Sequence, residues 1–145
     1  MSTGRAISQD QLDALFTAAL EAAIGRIEKD GHFHPLVFEL RDSGAIQAVA
    51  VLETGAIDGR RDVIDRLFEI LRARVAEGVV QAFAISLDRH HEGQMTVMLR
   101  APNYAADILV PFTETGEGFL KRKRRVSLGE FSAREAPNEL FGVAG

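Results

Sequence analysis

The chain has 145 residues, the size of one domain, and a domain of this length buries roughly 68–70% of its unfolded surface without covalent staples. It contains no cysteine, which excludes disulfides, thiolate metal centres and cysteine nucleophiles. The net charge of −4 is uneven: residues 1–120 hold 11 basic and 18 acidic residues, and residues 121–145 hold 6 basic and 3 acidic. Such an acidic body is unlike a general nucleic-acid binder, whose affinity comes from clustered positive charge.

The first residues, Met1-Ser2-Thr3-Gly4-Arg5-Ala6-Ile7, lack the apolar run of a signal peptide, and nothing approaches the ~18–20 apolar residues of a membrane helix. With no cysteine, the expectation is a soluble cytoplasmic protein. A single α+β domain is expected over 1–145, with 1–7 and about 142–145 as flexible ends.

Ser8-Gln9-Asp10-Gln11 is a capping box and opens the first helix. Leu12, Leu15, Phe16, Ala19, Leu20, Ala23, Ile24 and Ile27 follow at helical spacing. Asp30-Gly31 ends it, because glycine readily takes the left-handed conformation. Residues 34–41 then alternate: Leu36, Phe38 and Leu40 share one face, Val37, Glu39 and Arg41 the other. Arg41-Asp42-Ser43-Gly44 is a turn. Residues 45–52, AIQAVAVL, are apolar on both faces except at Gln47, which predicts a strand in the middle of a sheet.

After the loop Thr54–Gly59, a second helix is predicted over about 60–77, with Ile64, Leu67, Phe68, Leu71 and Val75 on its apolar face. Arg60, Arg61, Arg66, Arg72 and Arg74 alternate with Asp62, Asp65 and Glu69, suggesting ion pairs along the helix. The remainder reads as strands: 79–87, 94–100, 106–112 and a charged strand over 119–128. Pro111 argues for an edge or a bulge. Residues 129–145 read as a tail.

The order α-β-β-α-β-β-β(-β), with short links between strands, predicts a mainly antiparallel sheet of five to six strands. Both helices are expected on one face, in an α+β sandwich of two layers.

Three clusters carry chemistry. His32-Phe33-His34-Pro35 presents the His-x-His-Pro of JAMM-type metalloproteases, with Ser43 near the position of that motif's serine and Glu21 or Glu28 available as the base. Ile46 stands where the third ligand, an aspartate, belongs. A catalytic zinc needs three protein ligands and an open position, so the stretch reads better as the start of a strand. Asp88-Arg89-His90-His91-Glu92 is rich in ligands and acid–base groups but also suits an exposed hairpin loop. His32, His34, His90 and His91 are the metal candidates, on condition that the ends of different strands converge. Third, Lys121, Arg122, Lys123, Arg124 and Arg125 are the anion-binding candidates. The plain alternative is a charged edge strand. Only Phe119 and Phe131 flank the run, which disfavours nucleic-acid binding by base stacking.

No phosphate loop, dinucleotide fingerprint, nucleophile elbow or paired-histidine helix is present in the sequence. No catalytic residue and no cofactor is assigned, and the expectation leans away from an enzyme.

Phe33-His34-Pro35-Leu36, the V-x-A-x-A strand and the closing GEFSAREAPNEL (129–140) before Phe141 are similar to F-x-P-[FL], V-x-A-x-A and G-E-F-x-A-x-x-x-P-x-x-[FI]. In these, over most of its length, the chain resembles a family of small bacterial α+β proteins with no established activity. The resemblance implies a fold, and no reaction, substrate or catalytic residue comes with it. Where that family commonly has tyrosine this chain has His34, which favours packing over metal binding at that position. The functional expectation is a non-enzymatic interaction or scaffold module, acting as a homo-oligomer, most simply a dimer, or on a protein partner. An enzyme using the histidines, and an anion binder using 121–125, are the alternatives.

Overall fold

The computed structural model describes residues 7–33, 35–49, 61–89, 92–102, 104–116 and 124–141. Helix α1 spans Gln9–Asp30, strand β1 Leu36–Arg41, β2 Ile46–Val49, helix α2 Arg61–Ala76, β3 Val80–Arg89, β4 Gln94–Ala101, β5 Tyr104–Gly116, β6 Arg124–Leu128 and β7 Ser132–Glu135. The expected α+β class and element order hold. The sheet has seven strands rather than five or six, because the presumed tail contributes β7. The expected flexible ends lie outside the described residues, apart from Ile7.

The ends of α1 form as its sequence dictates. Ser8 Oγ accepts from Gln11 N at 3.1 Å and Gln11 Oε1 accepts from Ser8 N at 3.1 Å. Gly31, at φ 85°, donates its N–H to Ile27 O at 2.8 Å.

All strands pair antiparallel in the order β2-β1-β3-β4-β5-β6, with β7 also on β5. The long β5 serves two partners on its outer side: Ala106–Leu109 pair with β7 and Phe112–Gly116 with β6. Pro111 falls at the junction. Its carbonyl accepts from Gly129 N at 2.7 Å, so its missing N–H faces the corner between the two ladders. The proline marks an irregularity, as expected, but in an interior strand rather than an edge.

The helices take opposite faces, which corrects the expected two-layer arrangement. Leu15 and Ala19 of α1 pack on Leu40, Ala82, Ala84, Val97 and Leu99. Leu20, Ala23 and Ile27 pack on Met95, Val110 and Phe112. Leu67, Phe68 and Leu71 of α2 pack on Val37, Phe83, Ile85 and Met98, whose side chains leave the other side of the sheet. The reason lies in β3. Its Phe83, Ile85 and Leu87 make an obvious apolar face, but Ala82, Ala84 and Ser86 are a second buried face, built small so that α1 can approach closely. Ser86 Oγ even donates to the α1 backbone at Ala19 O, 3.0 Å away.

That close seat yields a prediction. Ala84→Leu should destabilise the fold by about 1–3 kcal/mol through overpacking, whereas the volume-conserving Ile85→Leu on the α2 face should cost less than about 1.5 kcal/mol. Urea denaturation of the two variants tests it; a neutral Ala84→Leu would mean that α1 does not sit where described.

β2 is also corrected: it lies at the end of the sheet, not in its middle. Its run looks central because it is rich in alanine, which tolerates either environment, and Gln47 and Ala48 are exposed. At the opposite end, Val126 packs against the α1 cluster and its N–H donates to Glu28 Oε2 at 3.0 Å, so α1 closes on β6. Among the described residues no helix is long and apolar enough to cross a membrane.

Candidate functional site

The His-x-His-Pro stretch leads into β1, as the strand reading requires. Ser43 sits in the turn and Ile46 begins β2 opposite Leu40, so no ligand-bearing helix follows. His32 is exposed, with Nδ1 3.2 Å from Asp30 O. His34, His90 and His91 lie outside the described residues. The chain does bring their two neighbourhoods together, because Phe33 N donates to Asp88 Oδ2 at 3.0 Å. Among the described residues there is no group of three or more His, Cys, Asp or Glu side chains that could hold a metal ion.

Of the basic run, Lys121, Arg122 and Lys123 lie outside the described residues. Arg124 opens β6 opposite Gly116, and Arg125 is exposed opposite Thr115. β6 stands at the end of the sheet, so the charge falls on an edge strand, where it discourages pairing with another chain.

Two ionic clusters lie on the α2 face. In the first, Glu39 of β1 is 1% exposed. Arg74 of α2 reaches it with Nε and Nη2 at 2.8 and 2.9 Å, and Arg41 Nη1 approaches at 2.7 Å. The helix arginines were expected to pair along α2. Arg74 instead reaches down to the sheet, and Arg72 Nε donates to Glu139 O at 2.9 Å, because an arginine stem long enough to lie along a helix can equally cover the face beside it.

The second cluster centres on Arg100 of β4, also 1% exposed. Its Nε donates to Glu139 Oε1 at 2.8 Å. Its Nη1 donates to Leu99 O and Ala106 O at 3.0 and 3.1 Å and lies 2.9 Å from Asp107 Oδ1. Nη1 has two hydrogens, and both go to the carbonyls. Asp107 Oδ1 is thereby held by charge and proximity, without a hydrogen bond of its own.

Residues 136–141, beyond β7, turn back over this face as a strap. Asn138 Nδ2 donates to Ala101 O at 2.8 Å, and Asn138 Oδ1 accepts from Phe141 N at 3.1 Å. Leu140 is buried in the α2 cluster, and the Phe141 ring centre is 6.2 Å from that of Phe83. Neither ionic cluster nor the strap was anticipated. The available signal was Glu39 and Arg100, each interrupting the apolar alternation of a strand.

The surface has one more feature. Tyr104, Leu128 and Phe131, three of the exposed large apolar residues, lie along the β5–β6–β7 side. Phe131 meets Phe16 of α1 edge to face at 5.7 Å. A shallow groove of about 450 Å³ runs beside Tyr104, Ala106, Ala133, Arg134 and Glu135. Among the described residues β7 pairs only with β5, and all four of its residues are exposed.

No family model matches the chain, and no curated protein or solved structure is significantly similar to it.

Proposed function

We propose that this chain is a non-enzymatic interaction module that associates with itself, as a symmetric dimer, or with a protein partner. One observation carries the reading: the outer side of β5 presents an exposed strand, β7, bordered by exposed Tyr104, Leu128 and Phe131. A strand edge offers backbone donors and acceptors to another chain, and apolar side chains at its border supply the area that stabilises a contact. The acidic body and the positive balance of residues 121–145 complement each other between copies and would steer their encounter. The buried charges pair with one another, which supports a structural role for them. A cytoplasmic location belongs to the same reading, supported by the cysteine-free composition, and a bacterial origin is supported by the resemblance carried by residues 129–141.

Native mass spectrometry on untagged protein, with light scattering across a concentration series, tests this directly. A dimer is expected, and Leu128→Glu should weaken it about tenfold or more. A chain that stays monomeric at high concentration, and captures no protein partner, would remove the support for this function.

A further inference from the structure

The strap and the face of the sheet it covers carry a separate inference, on the opposite side of the sheet from α1. We propose that this face beside α2, covered by Glu139, Leu140 and Phe141, is a docking site for a partner segment with an acidic residue followed by two large apolar residues. Residues 136–141 occupy it in cis as a built-in competitor.

The chemistry of the occupant is read from the strap itself, Asn138-Glu139-Leu140-Phe141. At one end, Arg100 Nε receives the carboxylate of Glu139 and Arg72 Nε holds the carbonyl of the same residue. Beyond it, Phe83 and Met98, with Leu67 and Leu71 of α2, make the apolar floor on which Leu140 and Phe141 rest. A buried arginine beside an apolar floor is complementary to an acidic–apolar–apolar segment.

Two features make the strap exchangeable. First, Arg100 has a second counter-ion. Asp107 belongs to β5 rather than to the strap and lies 2.9 Å from Nη1, and the carbonyls of Leu99 and Ala106, also outside the strap, accept from the same nitrogen. Losing Glu139 therefore does not leave a buried charge alone, the event that makes breaking such pairs costly. The receptor remains formed when its occupant leaves. Second, the strap is held almost wholly by side chains. Among the described residues, the one backbone bond that ties it to the sheet is Ala136 N to Ala105 O, at 3.3 Å, at its very start. Segments held this way open at a fraction of the global free energy.

The test uses the full-length chain and a fluorescein-labelled peptide of residues 136–142, followed by anisotropy. In the wild type the cis strap competes at an effective concentration on the order of millimolar. Glu139→Ala combined with Leu140→Ala in the protein should loosen the strap and tighten peptide binding about tenfold or more. The same peptide carrying Glu139→Ala should lose that gain. Equal affinity for both proteins, or indifference to the acidic residue in the peptide, would overturn the proposal. Hydrogen exchange on the wild type gives an independent reading that needs no variant to fold. Excess peptide should speed exchange at the Phe141 amide and leave the β3 amides unchanged; an unmoved Phe141 amide counts against the proposal. Neither readout depends on self-association, so this inference and the proposed function stand or fall separately.

Discussion

Arg100→Met should lower the free energy of unfolding by about 3–5 kcal/mol, the usual effect of removing one partner from a buried ionic cluster. The melting temperature should fall on the order of 10 °C in a chain of this size. The side chain is enclosed, and its removal strands two carboxylates, Asp107 and Glu139, beside each other on the α2 face. Methionine keeps most of the volume, so packing alone does not account for the loss. The control is the triple variant with Asp107→Asn and Glu139→Gln. It should recover much of the deficit, because neutral groups of similar shape often replace a buried ionic cluster at little cost. Urea denaturation followed by far-ultraviolet circular dichroism measures both. A single variant within about 1 kcal/mol of the wild type, the size of an ordinary surface effect, would show that Arg100 is not held between these acids.

The Glu39 cluster should respond asymmetrically. Glu39 is enclosed, whereas the side chains of Arg41 and Arg74 are 32% and 31% exposed. Removing the carboxylate with Glu39→Gln leaves two arginines that can turn to water, so the loss should be about 1–1.5 kcal/mol, that of a hydrogen bond. Removing both arginines by alanine leaves a carboxylate facing Phe83 and Gln47 across its neighbouring strands. That loss should reach about 3–5 kcal/mol. A double-mutant cycle among the three residues resolves the coupling. Equal losses from the two sides of the cluster would contradict the burial described for Glu39.

Much of this architecture is legible in residue order. The capping box at Ser8, the glycine stop at Gly31, the turn at Asp42–Gly44 and the apolar stripe of α2 are local signals, and each produced the element it announced. The face assigned to each helix was not legible, because alanine at 82 and 84 reads the same whether it meets solvent or a closely seated helix. The ionic clusters were hidden for a different reason. Arg100 and Glu139 are 39 residues apart, and Glu39 and Arg74 are 35 apart. Such pairs exist only once strand order is set, and short-range periodicity does not encode strand order. The histidines drew attention because they are chemically conspicuous. The structure brings Phe33 against Asp88, while His34, His90 and His91 lie outside what it describes.

The shared outer side of β5 has a mechanical consequence. The corner at Gly129 and Pro111 divides that side into two ladders with different attachments. β6 is fastened to α1 through Glu28 and Val126, whereas β7 continues into the strap. The C-terminal ladder can therefore detach with its strap as one cooperative unit while the other remains tied to the body of the protein. This division predicts stepwise unfolding from this end, with its boundary at the one position in β5 that has no amide hydrogen to give.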